Sequence, residues 1–181
     1  MGVRIYVYLS HDLRKWDDQV ETIARLEPSI PATIAVRDYW NSVAQSNLDP
    51  QAHDRWVLEL VSSRPPHHRT YGAPGSLWLD VTSRAARIST GGRWRGFIEI
   101  ERLREVHLQA FKTIAKCLQS KTLVICSDAR DEPYDAFLAR GSQQECAEAL
   151  KSSIGPPERA TDSDTMTRLS IAKKPAWFLL E

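Results

Sequence analysis

The segment "STGGRWRGF" (89–97) sets Gly91, Gly92 and Gly96 around Arg93, Trp94 and Arg95, directly before a long amphipathic stretch. Glycine turns that feed a helix can hold phosphate through backbone N–H groups, and forked guanidiniums add charge. A Walker loop needs GxxxxGK followed by Ser or Thr, and neither lysine nor hydroxyl follows Gly96. The dinucleotide fingerprint GxGxxG fails too, because the glycines stand at 91, 92 and 96. The surviving expectation is a Gly-Gly hairpin turn with positive φ, from which alternation projects Arg93, Arg95 and Phe97 from one face and Trp94 from the other. A strand face carrying two arginines meets either water or a protein partner.

A second candidate is the acidic run "SDARDEPYD", with Asp128, Asp131, Glu132 and Asp135 just after an apolar strand pattern. Clustered carboxylates at a sheet edge can hold a divalent ion, which defines an alternative reading as a small metal-assisted hydrolase. The spacing is not that of an EF-hand. Asp131 as a helix cap, with Glu132 and Asp135 in the first turn, explains the same residues without a metal. The five histidines show no HExxH or HxxxH spacing, and Ser10-His11-Asp12 are contiguous, whereas triads assemble through the fold. No catalytic residue, metal or cofactor is assigned. The six tryptophans are a separate signal: Trp16 and Trp56 fit helix cores, whereas Trp78 and Trp94 face away from their strands' apolar partners. Tryptophan and arginine together are typical of protein interfaces.

These residues need positioning. "VRIYVYL" (Val3–Leu9) reads as a strand, followed by a helix capped by Ser10 with Leu13, Trp16, Val20 and Ile23 on one face and ended by Pro28 and Pro31. "ATIAV" fits either a strand or a helix running through Tyr39 and Trp40. "LDPQAHDRWVLELVSS" reads as a helix with Asp49 as cap and Pro50 at its first position. "RPPHHRTYGAPG" reads as a loop, and "SLWLDVTS" as a half-buried strand with Leu77, Leu79 and Val81 inward. Ile100, Leu103, Val106, Ala110, Phe111, Ile114 and Leu118 mark a helix of about five turns. "KTLVICSD" reads as a strand covered on both faces, and Ser142 with Glu145 as a capping box. The expected architecture is α/β or α+β: a single mixed β-sheet with helices packed against it, in one globular domain over 1–181. Residues 157–170 read as a mobile segment before a C-terminal docking strand.

The chain has 181 residues and a formal net charge of +1, so no overall field favours nucleic acid or an anionic membrane. Arginine outnumbers lysine 17 to 7, a bias that a GC-rich genome explains as readily as function does. Cys117, Cys126 and Cys146 form no CxxC pair and suit free thiols in a cytoplasmic protein. The opening "MGVRIYVYLSHD" is too short in apolar residues for a signal region or membrane span.

With "GGRWRGF" and "LVICSDARDEPYDAF" as its most distinctive segments and no catalytic signature, the chain resembles in type the stand-alone bacterial immunity proteins of polymorphic toxin systems. That resemblance implies a non-enzymatic inhibitor that binds and blocks one cognate toxin or effector. Its bound surface would be charged and aromatic, with Arg93, Trp94, Arg95, Trp78, Asp128, Asp131 and Glu132 as the residues expected to bind the partner.

Overall fold

The computed structural model describes residues 4–44, 53–63, 67–139, 141–158, 163–172 and 176–181. The chain opens with β1 (Arg4–Leu9), α1 (Gln19–Leu26), a 3-10 turn (Glu27–Ser29) and α2 (Ile30–Ala44). Four strands follow: β2 (Val57–Ser62), β3 (His68–Ala73), β4 (Leu77–Val81) and β5 (Ala86–Arg93). Next come α3 (Trp94–Glu99), α4 (Glu101–Cys117), β6 (Leu123–Ser127) and α5 (Glu132–Leu138). The chain closes with α6 (Gln143–Ser153), α7 (Ser163–Ala172) and β7 (Trp177–Leu180). The strands form one sheet in the order β2-β3-β4-β5-β1-β6-β7. The expected single sheet with packed helices is therefore present, in its α+β form. Every ladder is antiparallel, and the parallel pairing described is an isolated bridge between Glu158 and Phe178. No described helix is long and apolar enough to cross a membrane.

β1 sits between β5 and β6 and alternates between two cores. Ile5, Val7 and Leu9 face the larger one, with Ile88 and Ile125 from the neighbouring strands and Leu79 from β4 beyond β5. That first face is closed by α4, whose Leu103, Val106, Ala110, Phe111 and Ile114 recur at helical spacing and are buried as the sequence predicts. Tyr6 and Tyr8 point to the second face, where Val124, Cys126 and Trp177 pack under Phe137 of α5 and Cys146 and Leu150 of α6. The capping box of Ser142 and Glu145 is present and starts α6. β4 and β6 also form where the sequence predicts them, with Leu77, Leu79 and Val81 inward and every residue of β6 buried.

Other expectations are corrected. Ser10 is no helix cap; its hydroxyl bonds the Ser120 hydroxyl at 3.0 Å, and Asp18 caps α1 through Val20 and Glu21. Val20 is exposed as a result. The prolines interrupt less than expected, since Pro28 lies in the 3-10 turn and Pro31 at the start of α2. Of the stripe Trp56, Val57, Leu60 and Val61, the last three belong to strand β2 and Trp56 directly precedes it, and a register shift between Leu58 and Leu60 breaks the alternation. Asp49 and Pro50, the expected cap of that helix, lie outside the described residues. Half of the supposed loop is β3. Ser163–Ala172, which overlaps the 157–170 stretch, is helical with Met166 and Leu169 buried.

The Gly-Gly hairpin is absent. The turn with positive φ stands one hairpin earlier, at Gly75 (φ 77°) and Ser76 (φ 54°), between β3 and β4. Gly91 and Gly92 lie inside β5, where the register moves from Ser89 opposite Tyr6 to Arg93 opposite Arg4. Thr90, Gly91 and Gly92 thus stand against Ile5 alone, a bulge that glycine accommodates. Close approach also demands glycine here. A Cβ on Gly91 would lie 3.1 Å from the Ser76 Cβ, and one on Gly92 would lie 3.0 Å from His107 Nε2 and from Thr90 Oγ1.

His107 is itself fully buried, edge-on to Trp40 and Phe111, and its Nδ1–H donates to the Leu103 carbonyl at 2.8 Å. Nε2 is left as an unpartnered lone pair beside Gly92. Burial drives its pKa down to about 4, only partly opposed by the carbonyl. Gly92→Ala overpacks this contact and is expected to lower stability by about 1–3 kcal/mol in urea titrations. His107 also sets a pH dependence. The unfolded chain binds its proton near pH 6.5 and the folded chain only near pH 4, so stability is full above 6.5 and declines as pH falls to 4. That loss is on the order of 3 kcal/mol. Denaturation at stepped pH checks it, and His107→Leu is expected to flatten the slope by about one proton.

Candidate functional site

The two helices over the second sheet face stop short of its width. The second core draws on β1, β6, β7, α5 and α6, with Ala85, and includes no residue of β2, β3 or β4. Cross-strand register assigns the side chains of that remaining half. One row runs Gly72, Trp78, Ser89 and Tyr6; the next runs Thr70, Asp80, Arg87 and Tyr8. Trp78 is half-buried and packs into neither apolar core. Gly72 beside it leaves room for the Glu59 side chain, whose carboxylate meets His53 Nε2 at 2.9 Å.

Arg87 marks where the second core ends. Its guanidinium lies 4.5 Å from the Tyr6 ring centre and 4.4 Å from that of Tyr134, a cation held between two aromatic faces. The polar edge pairs with Asp80: Nε reaches Oδ2 at 3.0 Å, and Nη2 contacts the same oxygen. Thr70 Oγ1 donates to Asp80 Oδ1 at 2.7 Å, so both carboxylate oxygens are used. Burial works against the Arg87 charge, but the Asp80 carboxylate outweighs it and raises the guanidinium pKa further. Arg87 Nη1 and the Tyr8 hydroxyl are buried with no hydrogen-bond partner among the described residues. Burial raises the Tyr6 phenol above its ordinary value, with Arg87 opposing. The nearby Cys126 and Cys146 thiols are pushed up by burial, Cys146 to about 12, so neither is a thiolate nucleophile at neutral pH.

The residues expected from sequence to bind a partner fall into three places. Trp78 lies on the half-face that α5 and α6 do not cover. Asp128 follows β6 and lies near Tyr6, whereas Asp131 and Glu132 stand at the start of α5. Asp128 accepts the Arg4 backbone N–H at 2.6 Å, Glu132 meets Arg130 at 3.8 Å, and Asp131 holds the N-cap position of α5 without a side-chain bond. The "GGRWRGF" set is dispersed, because α3 starts directly after the bulge. Trp94 stacks on Phe97 and Phe178, with centroids 5.8 and 5.7 Å away, against the first core. Arg95 is tied to Glu99 at 2.8 Å, one helical turn on. Arg93 alone stays at the end of β5, exposed and opposite Arg4. Reading from sequence missed Tyr6, Tyr134, Arg4 and the Asp80–Arg87 pair. The tight turn closed by Thr82 N–H to the Ala85 carbonyl at 3.0 Å places position 80 across from 87, and Thr82-Ser83 was its available signal.

No family model, curated protein or solved structure matches this chain. Its own geometry therefore bears the functional argument. Among the described residues no group of three His, Cys, Asp or Glu side chains is placed to hold a metal ion. Nor do Ser10, His11 and Asp12 converge. His11 donates from Nε2 to the Thr82 carbonyl at 2.8 Å and accepts from Leu13 N–H at 3.3 Å, while Asp12 faces Arg25. Burial lowers the His11 pKa, as suits a neutral ring spent on structure.

Removing one partner of the Asp80–Arg87 pair strands the other charge. Arg87→Met is expected to cost about 3–5 kcal/mol in chemical denaturation, whereas adding Asp80→Leu to it recovers most of that loss.

Proposed function

We propose that this chain is a non-enzymatic, immunity-type inhibitor that binds a cognate bacterial toxin or effector in the cytoplasm through the half of its second sheet face that α5 and α6 do not cover. The observation that carries the reading is Trp78: a half-buried tryptophan on a sheet face, packed into neither core. Tyr6 and Tyr134 lie on the same face, stacked on Arg87, and both are half-buried. Large aromatics and arginine on a rigid sheet are the side chains that dominate protein interfaces. The sheet fixes them before binding, so little side-chain entropy is lost on association.

The chemistry of the face favours recognition over turnover. Asp80 and Arg87 neutralise each other, Thr70 is spent on Asp80, and the thiols below are protonated. A net charge of +1 with acids at the border disfavours a nucleic-acid backbone as the partner.

Co-expression with the product of the adjacent gene tests the reading. The chain is expected to rescue growth that the adjacent product arrests, and to co-elute with it. Trp78→Ala is expected to weaken that complex by at least about thirtyfold, the effect of a central hot spot, with an unfolding midpoint measured in parallel to exclude misfolding. An adjacent product that neither binds nor is neutralised overturns the proposal.

A further inference from the structure

The bulge at Gly91–Gly92 has a consequence for charge. By carrying Thr90, Gly91 and Gly92 past Ile5, it brings Arg93 into register with Arg4 on the central strand. Directly opposed residues on antiparallel strands stand about 4.5–5.5 Å apart at Cα. Both arginines are exposed, and neither forms an ion pair among the described residues. The nearest carboxylate by backbone contact, Asp128, is engaged with the Arg4 main-chain N–H and not with its guanidinium. Like charges facing each other across a ladder are destabilising, so the free protein carries a repulsion that an added anion removes.

The geometry points to a site for one or two carboxylates of an acidic stretch in the partner protein, gripped between the Arg4 and Arg93 guanidiniums. This rests on the inhibitor reading and supplies the chemistry of its partner. Two guanidiniums carried by directly opposed residues suit bidentate carboxylate binding. The surroundings set the size of the anion. Tyr6 follows Arg4 on the same strand, Gly91 is exposed and adds no side-chain bulk, and Asp128, Asp131 and Glu132 stand toward α5. A long polyanion running past the pair meets those acids and is repelled, whereas a short acidic segment of a protein is not. The site also abuts the aromatic half-face, because Ser89 links Tyr6 to Trp78 across the ladders.

Titration with hexaglutamate at low ionic strength, followed by backbone amide shifts, tests the inference on the intact chain. Shifts are expected at Arg4, Tyr6, Gly91 and Arg93, with affinity reduced at least tenfold in Arg4→Glu/Arg93→Glu. The exposed Lys112→Glu on α4 is expected to leave affinity unchanged. Arg4→Glu alone replaces repulsion by attraction and is expected to raise Tm by about 1–3 °C while weakening the peptide, a combination that loss of fold does not produce. Shifts elsewhere, an unaltered affinity in the double variant, or tighter binding of a thymidine decanucleotide overturns the inference. The two proposals fail separately. Rescue by the wild type that survives Arg4→Glu/Arg93→Glu sinks the carboxylate site and spares the inhibitor reading. Absence of rescue with hexaglutamate still bound at the pair does the reverse.

Discussion

Arg87 solves the problem that β1 creates. A central strand buried on both faces needs an apolar layer on each, and β1 carries Ile5, Val7 and Leu9 to one side and Tyr6 and Tyr8 to the other. α4 and α2 close the first side. On the second, α5 and α6 are short, 7 and 11 residues, and α5 reaches as far as Arg87 of β5. Three further strands, β4, β3 and β2, contribute no residue to the core beneath these helices. An aliphatic residue at 87 would leave a raw apolar edge, and an unpaired charge would be expelled into water. Arginine meets both demands, since its flat face packs between Tyr6 and Tyr134 and its edge pairs with Asp80. The ion pair thus stands where the second apolar core gives way to a more polar half-face, and the candidate site adjoins it.

The bulge at Gly91–Gly92 acts similarly on the first face. α4 must approach β5 closely for Phe111 and Val106 to reach the core, and His107 lies in that same buried stripe. An imidazole fits only where the opposing strand has no side chain, which is what Gly92 provides. One pair of glycines therefore answers three local constraints: the Ser76 turn on one side, His107 on the other, and the shift in register that ends the strand at Arg93. None of these requires a positive φ.

What could be read from sequence follows from how local each signal is. α4, β4, β6 and the Ser142–Glu145 box are specified by residues within a few positions of one another, and they formed as expected. β2 was misread because its bulge at Glu59 puts apolar residues at 56, 57, 60 and 61, a spacing that also describes a helix face. β3 was misread because Gly72 looks like a turn residue, whereas it is small so that Glu59 can lie over it. The site suffered most. Trp78 was legible as a tryptophan on the wrong side of its strand, but Arg87, Asp80 and Tyr6 come together only when the order β4-β5-β1 is known. Trp94 and Arg95 were legible as chemistry and turned out to be packing and a helix ion pair.

The distribution of charge shows why composition alone says so little here. Most charged side chains near the "GGRWRGF" segment are matched within one helical turn, as Arg95 is by Glu99 and Arg102 by Glu105. Such pairs contribute little to stability and neutralise their own surroundings, so they leave no field. Cross-strand neighbours are different, because their partners are chosen by register and not by sequence spacing. Arg4 and Arg93 lie 89 positions apart and meet only through the bulge. A chain with a net charge near zero can therefore still bring two positive charges together at one place on its sheet, and register rather than composition decides where.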